Sequence, residues 1–121
     1  MEFQNTQPIF MQIVDVVCDR VLRGELKTDD QVPSVRELAM QMQVNPNTVQ
    51  RAIERLLQYE IVYSQRGKGN FLAEGAIEKI QEMRSKRFYD EQLPHIASEM
   101  KLLGINPEQL LEKLTEMMQQ I

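Results

Sequence analysis

Apolar residues recur at helical spacing along the first part of the chain. Residues 8–23 carry two neighbouring rows at i+4 spacing, Ile9-Ile13-Val17-Val21 and Phe10-Val14-Cys18-Leu22. An apolar face this wide is typical of a helix that packs against a core. Pro8 suits the first helical turn, and Gly24 suits the residue that follows the last turn. The pattern predicts a helix over residues 8–23 whose apolar face, with Cys18, lies in the core.

Two short helices follow at close spacing. Ser34 and Glu37 form the capping-box pattern, and the apolar stripe behind them predicts a helix over about residues 34–42. Asn45-Pro46 supplies a second N-cap with proline in the first helical position, which predicts a helix over residues 45–58. The residues expected to face inward in this region are Val44, Val49, Ile53, Leu56 and Leu57. Two short helices joined by about three residues form a helix-turn-helix.

The periodicity then changes to that of short strands. Ile61-Val62-Tyr63-Ser64 is β-branched and aromatic, and Phe71-Leu72 forms a second short apolar run. The segment from Gln65 to Asn70 lies between them and contains two glycines, so the pattern predicts a β-hairpin with a glycine-rich tip. A helix-turn-helix followed by such a hairpin is a winged helix. The predicted fold class is therefore mainly α with a small β-hairpin.

Gly75 marks a boundary, after which helices are predicted over about residues 76–89, 91–103 and 106–120. The last two carry narrow apolar seams of the coiled-coil a/d kind, formed by Leu93, Ile96, Met100 and Leu103 and by Leu110, Leu114, Met117 and Ile121. We expect a winged-helix domain over residues 1–75 and a short helical dimerisation region over residues 76–121. The alternative is that these seams cover the winged helix within one monomer. Dimerisation is favoured because residues 8–73 already have a self-contained set of apolar faces.

Composition restricts the class of function. The 121 residues are 42% hydrophobic and 26% charged, which is typical of an ordinary folded protein. No apolar run approaches the roughly 20 residues of a membrane span, and the first five residues lack the pattern of a secretory signal. One cysteine excludes an internal disulfide and indicates a reducing cytoplasm. The single histidine, His95, is expected to be structural or solvated, and we expect no catalytic residue, cofactor, metal or membrane partner.

Charge is unevenly distributed along the chain. The net charge is -4, yet residues 31–73 carry five Lys and Arg against three Asp and Glu. Because the field at a patch matters more than the total, a basic face for nucleic acid is compatible with an acidic chain. A further basic group, Arg84, Lys86 and Arg87, lies either on a solvated face or against backbone phosphates.

The candidate DNA-binding groups lie at the helix-turn-helix and at the hairpin tip. Asn47 and Gln50 carry paired donor and acceptor groups that suit adenine, while Thr48 suits a phosphate or a thymine methyl. Arg36 can reach a phosphate or a guanine edge, and a basic glycine-rich tip suits the minor groove. The full set of DNA-binding candidates is Ser34, Arg36, Asn45, Asn47, Thr48, Gln50, Arg51, Arg66, Gly67, Lys68 and Gly69.

Each assignment has a structural alternative. Under it, Asn45 and Thr48 only cap their helix, although for Asn45 capping and DNA contact are compatible. Arg51 and Arg55 are then solvated helix charges, and the glycine-rich tip is only the turn of a hairpin.

Five segments, in order along residues 7–73, resemble the GntR family of bacterial transcription regulators. They are Gln7–Ile13, Gly24–Leu26, Val32–Ala39, Val44–Val49 and Gly67–Phe71. The short helical tail is similar to that of the YtrA subfamily, whose members dimerise through it. The resemblance implies a sequence-specific DNA-binding transcription regulator, expected to be a repressor, that binds palindromic double-stranded operator DNA as a homodimer. It also implies control of a transporter operon, but it identifies no operator sequence and no small-molecule effector.

The chain departs from the common GntR pattern at three positions. In many GntR proteins arginines stand where this chain has Pro46 and Gln50, so the expected base contacts shift to the Asn and Gln side chains and Arg51. Asp29 stands where a turn glycine is common, which predicts a positive φ there.

Two other classes of function compete with this interpretation. A winged helix that only binds another protein is distinguished by the surface of helix 45–58, where Asn, Gln and Arg favour DNA. An enzyme that uses Gly67-Lys68-Gly69 to hold a phosphate is disfavoured, because no helix start, carboxylate metal motif or usable base accompanies that loop.

Overall fold

The first helix, α1, supplies a large share of the core. The computed structural model describes residues 7–121; residues 1–6, which include the segment tested for a secretory signal, lie outside the described residues. Helix α1 spans Ile9–Leu22, and both predicted rows contribute buried residues, namely Phe10, Ile13, Val14, Val17, Cys18 and Val21. The expectation was wrong for Ile9 and Leu22, which are exposed because they occupy the first and last positions of the helix. Gly24, at φ 81°, follows the end of α1 as predicted.

Helices α2 (Val35–Met42) and α3 (Pro46–Gln58) form the predicted helix-turn-helix. Gln43 ends α2 in the left-handed conformation, at φ 55°. Helix α3 packs against both α1 and α2, and its buried residues are Val49, Ala52, Ile53 and Leu56. Val44 and Leu57, which were expected to face inward, are only half-buried.

The hairpin consists of β1 (Val62–Gln65) and β2 (Gly69–Leu72), paired antiparallel with Gln65 opposite Gly69. Strand β2 begins two residues before the predicted Phe71, because a tight turn closed by the Lys68 N–H and the Gln65 carbonyl (2.9 Å) lets pairing start at Gly69. The predicted fold class is confirmed: the described chain is mainly helical with one two-stranded hairpin.

A short extended segment pairs with the other edge of β2, which the sequence did not predict. Gln31 forms a bridge with Phe71, and the Val32 N–H donates to the Asn70 carbonyl at 2.9 Å. Asp29 adopts the predicted positive φ, 70°, and its carboxylate accepts a hydrogen bond of 2.6 Å from the Tyr63 hydroxyl. The residues just before α2 are thereby attached to the hairpin.

The last part of the chain is helical. It comprises α4 (Ala76–Arg87), a π-helical turn (Phe88–Gln92), α5 (Leu93–Leu103) and α6 (Pro107–Gln119). The predicted break near residue 90 is wrong, because the chain continues through the π-helical turn. Pro94 has no N–H with which to continue the α-helical ladder, and π-helical turns accommodate such local interruptions.

The chain divides into two compact units, one ending at Glu82 and one covering Met83–Ile121, so the division falls within α4. The predicted functional boundary at Gly75, between a winged-helix domain and a dimerisation region, stays a prediction. In the described chain, every buried apolar residue lies between Phe10 and Ile80. No helix within residues 7–121 is long and apolar enough to cross a membrane.

Candidate nucleic-acid interface

The exposed side of α3 presents a polar stripe. Because the helix buries its apolar side, Asn47, Gln50 and Glu54 lie exposed at i, i+3 and i+7 on the opposite side. Gln50 Nε2 lies 3.5 Å from a Glu54 carboxylate oxygen, a long hydrogen bond that directs the amide along the stripe. Amide and carboxylate groups are the side-chain groups that pair with adenine and cytosine edges. The stripe therefore has the chemistry needed to read bases.

The start of α3 is fixed by its N-cap. Asn45 Oδ1 accepts a hydrogen bond of 2.8 Å from the Asn47 N–H, and Pro46 occupies the first turn. Asn45 is therefore a helix cap, as its structural alternative requires, and its side chain is exposed. Thr48 is half-buried, and its hydroxyl makes no hydrogen bond within residues 7–121. The capping alternative is thus met by Asn45 and not by Thr48.

Two arginines of α3 lie over one aromatic ring of α1. The guanidinium carbons of Arg51 and Arg55 lie 4.3 Å and 5.2 Å from the centre of the Phe10 ring. Arg51 is exposed and Arg55 is half-buried, and Arg55 Nη1 also lies 3.7 Å from the Met11 sulfur. Since a ring face attracts a guanidinium, neither arginine is simply a solvated charge. Phe10 therefore holds the Arg51 guanidinium beside the polar stripe, and the N–H groups of Arg51 still face solvent.

The start of α2 is a complete capping box. The Ser34 hydroxyl accepts from the Glu37 N–H at 3.1 Å, and a Glu37 carboxylate oxygen accepts from the Ser34 N–H at 2.9 Å. Hydrogen bonds from the backbone and then the side chain of Ser34 lower the pKa of Glu37 below its ordinary value of 4.5. Arg36, the residue directly before Glu37, is exposed and has no ion-pair partner within the described residues. Its charge is available to an incoming anion.

The hairpin tip presents two cations on a backbone that needs glycine. Arg66 and Lys68 are exposed, and neither has an ion-pair partner in the part of the chain that the structure describes. Gly67 and Gly69 have φ values of 78° and 116°, which side-chain-bearing residues rarely adopt. A Cβ atom at Gly67 would meet nothing within 4 Å, whereas one at Gly69 would lie 2.9 Å from Gln31 Nε2. Gly69 is therefore required by its conformation, and a Cβ atom there would displace the Gln31 amide.

The predicted DNA-binding residues all lie in the unit that ends at Glu82, on the start of α2, the first half of α3 and the hairpin tip. Three residues that the sequence did not mark as part of the interface each contact one of the predicted residues: Phe10, Gln31 and Glu54. Glu54 carries a signal that could have been found, since it lies four residues after Gln50 on one helix face. Phe10 and Gln31 are remote in sequence from their partners, so no local pattern marks them.

The predicted dimerisation seam lies on α5 and α6, and none of its residues is buried. Ile96, Met100 and Leu110 are half-buried. The remainder are exposed, from 39% at Leu93 to full exposure at Ile121. Large apolar residues outside the seam are also exposed, namely Leu102, Leu111 and Met118. The helices of Met83–Ile121 therefore carry an uncovered apolar surface.

The chain's one cysteine and one histidine, the residue types most often used as metal ligands or nucleophiles, lie apart from the DNA-binding candidates in sequence. Cys18 is buried in the core, as predicted, and His95 is exposed. Within residues 7–121 no group of three or more His, Cys, Asp or Glu is placed to hold a metal ion.

Comparisons with known proteins match most of the chain, and a family model matches its winged-helix part. The family model for bacterial regulatory proteins of the gntR family matches residues 11–72. The chain is 42% identical over 111 residues to an uncharacterized HTH-type transcriptional regulator, YhcF, of Bacillus subtilis (strain 168), covering 92% of this chain and 90% of YhcF. It is 33% identical over 113 residues to the HTH-type transcriptional repressor YtrA of the same strain, covering 93% of this chain and 86% of YtrA.

Solved structures of transcription regulators are also similar to this chain. A putative GntR-family regulator from Bacteroides thetaiotaomicron has a TM-score of 0.79 at 34% identity, over 93% of this chain and 98% of that one. AraR(DBD), solved in complex with operator ORR3, has a TM-score of 0.53 at 29% identity, over 55% of this chain and 80% of that one. Since the family model spans more than half of the chain and the relatives extend over most of it, the protein belongs to the GntR family of bacterial regulatory proteins.

Proposed function

We propose that this protein is a sequence-specific DNA-binding transcription regulator that acts as a repressor. The observation that carries the proposal is the exposed side of α3, where Asn47, Gln50 and Arg51 lie beside a capped helix start. Support comes from the similarity to the repressor YtrA over most of both chains. AraR(DBD), whose structure contains an operator, is similar over about half of this chain.

In this proposal α3 enters the major groove. Asn47 and Gln50 hydrogen-bond to base edges, which gives sequence preference. Arg36 and Arg51 contact backbone phosphates, which sets the register of the helix but not the sequence. This replaces the base contact expected for Arg51, because the Phe10 ring holds its guanidinium beside the polar stripe and not on it. Arg66 and Lys68 bring the hairpin tip to the adjacent minor groove, where the two glycines allow the backbone to approach closely.

We further propose that two copies bind together to a palindromic operator. The support is the uncovered apolar seam of α5 and α6, because a helix surface of this kind is covered by another helix in a stable protein. A two-fold dimer would present two α3 helices to two equivalent half-sites. A cytoplasmic location belongs to the same proposal, since operator DNA is the ligand.

Binding to a protein partner through α3 is the competing function. The centre of a protein-binding surface is expected to contain exposed aromatic residues or methionine. The exposed residues of α3 are instead polar or charged apart from Pro46 at its start. This composition favours nucleic acid as the ligand.

Selection of bound duplexes from a pool of random sequence tests the proposal. The wild-type protein should enrich an inverted repeat. A variant with Asn47→Ala and Gln50→Ala should enrich no defined sequence, because the base-reading groups are removed while the fold is kept. Gln81→Ala, on the exposed side of α4, is the matched control and should enrich the wild-type repeat. Failure of the wild-type protein to enrich any sequence would overturn the proposal.

A further inference from the structure

We infer that Gln31 is a positioning residue for the hairpin tip, where it holds the backbone of Lys68 so that the tip cations meet DNA in a fixed geometry. The inference deepens the proposed function and rests on it. Gln31 lies outside the helix-turn-helix and the hairpin itself, in the extended segment that precedes α2.

The first observation is a direct link to the tip. Gln31 Nε2 donates a hydrogen bond of 2.9 Å to the Lys68 backbone carbonyl, across 37 residues of sequence. The same nitrogen lies 2.9 Å from the point where a Cβ atom of residue 69 would be. The amide therefore lies directly against the Gly69 backbone, and glycine at that position makes room for it.

The second observation is that the backbone around Gln31 is itself anchored to β2. The Leu72 N–H donates to the Asp30 carbonyl at 2.9 Å, and the Val32 N–H donates to the Asn70 carbonyl at 2.9 Å. Gln31 stands opposite Phe71 between these two bonds. Its side chain thus extends from a fixed base along the hairpin toward the tip.

These contacts matter because, apart from the turn hydrogen bond from the Lys68 N–H to the Gln65 carbonyl, the tip has few contacts of its own. A two-stranded hairpin of four residues a strand is marginally stable by itself. The Arg66 and Lys68 side chains make no ion pair within residues 7–121, so they do not fix the tip either. A tip that is ordered before binding loses less conformational entropy when it meets a ligand. The hydrogen bond from Gln31 therefore raises DNA affinity without any contact between Gln31 and DNA.

The segment also connects two parts of the interface. Only Val32 and Pro33 separate Gln31 from Ser34, the N-cap of α2. The hairpin tip and the start of the helix that carries Arg36 are consequently held by one short, anchored stretch of backbone. Both sets of phosphate contacts then keep a constant spacing.

The test uses Gln31→Met, which keeps the length of the side chain and removes its donor. Affinity for the selected operator should fall by about three- to tenfold, the effect of one lost hydrogen bond. In a background with Arg66→Ala and Lys68→Ala the same change should alter affinity less than about twofold, because Gln31 acts through these two tip cations. Gln81→Met is the matched control and should leave affinity unchanged. Hydrogen exchange of the Lys68 amide in the free protein should be faster in Gln31→Met than in the wild type.

The outcomes separate the inference from the proposed function. Equal losses with and without the two tip cations would mean that Gln31 contacts DNA directly, which overturns a positioning role. Unchanged affinity, or unchanged exchange at Lys68, would also overturn it while leaving the proposed function intact. A wild-type protein that binds no DNA would overturn the proposed function, and the exchange experiment would still decide whether Gln31 holds the tip.

Discussion

Replacing Leu110 and Leu114 together by aspartate should convert the protein from a dimer to a monomer. The two residues lie one turn apart on the seam of α6, where Leu110 is half-buried and Leu114 is 45% exposed. Complete burial of a leucine side chain contributes about 1.5–3 kcal/mol, so covering the exposed part contributes roughly 1 kcal/mol at Leu114 and roughly half of that at Leu110.

A two-fold axis doubles every substitution. Four leucines are therefore lost from the dimer, which removes roughly 3 kcal/mol of apolar burial. At about 1.4 kcal/mol for each factor of ten, the loss of burial alone weakens association roughly a hundredfold. Four carboxylates placed in the seam add a further desolvation cost. The winged helix should stay folded, because the buried apolar residues of the described chain lie between Phe10 and Ile80.

Sedimentation equilibrium at about 20 μM, far above the Kd of a stable dimer, measures the change. The matched control is Gln109→Asp with Gln119→Asp, which adds the same charge to exposed positions on the side of α6 that carries its glutamates. This control should remain dimeric. A wild-type protein that is monomeric under these conditions, or a Leu110/Leu114 variant that stays dimeric, would refute the reasoning and show that the seam does not join two copies.

Three further predictions concern the interface. Gln50→Ala should relax the preference at one base pair and cost about 1–3 kcal/mol of binding free energy on the best site, whereas Lys68→Ala should weaken binding to all sequences alike and reduce the salt slope by about one. Binding assays on operator and scrambled DNA measure both effects. A uniform loss for Gln50→Ala and a sequence-dependent loss for Lys68→Ala would contradict the assignment. Phe10→Leu should lower the free energy of unfolding measured with denaturant. A double-mutant cycle with Arg51→Gln should give a coupling energy of about 0.5–1 kcal/mol, and additive effects of the two substitutions on stability would exclude the ring contact. The pKa of the Glu37 carboxyl, measured by NMR, should lie below 4.5. The stability that its charged form contributes is therefore present above pH 4.5 and is lost as the pH falls through the lowered pKa. Ser34→Ala should return the pKa toward 4.5, and an unshifted pKa in the wild type would contradict the capping box.

Features that depend on neighbouring residues could be predicted from the sequence. A helix cap and the N–H groups it binds lie within three residues of each other. For that reason Ser34 with Glu37, and Asn45 with Pro46, marked the starts of α2 and α3 correctly. The positive φ of Asp29 was expected on another basis: the resemblance to the GntR family places a turn glycine there, and aspartate tolerates that conformation.

Features that depend on remote contacts could not be predicted. The pairing of Gln31 with the hairpin and the position of Arg51 over Phe10 arise only when the elements pack together. The periodicity of α1 did not show where packing ends, so Ile9 was placed in the core although it is 58% exposed. Pro94 was visible, but its effect on the ladder, a π-helical turn instead of a break, depends on the helices on either side.

The most direct test of the central claim, that this winged helix binds DNA through its exposed cations and the polar stripe of α3, is a salt titration of operator affinity. Arg36, Arg51, Arg66 and Lys68 from each of two copies would neutralise about eight phosphates, which predicts a slope of log K against log salt near -7. Affinity should then fall roughly ten-thousandfold between about 50 and 200 mM salt. Scrambled DNA should bind more weakly at every concentration, because it offers the phosphates without the bases that α3 reads. A flat dependence on salt, or equal binding of operator and scrambled DNA, would contradict the account.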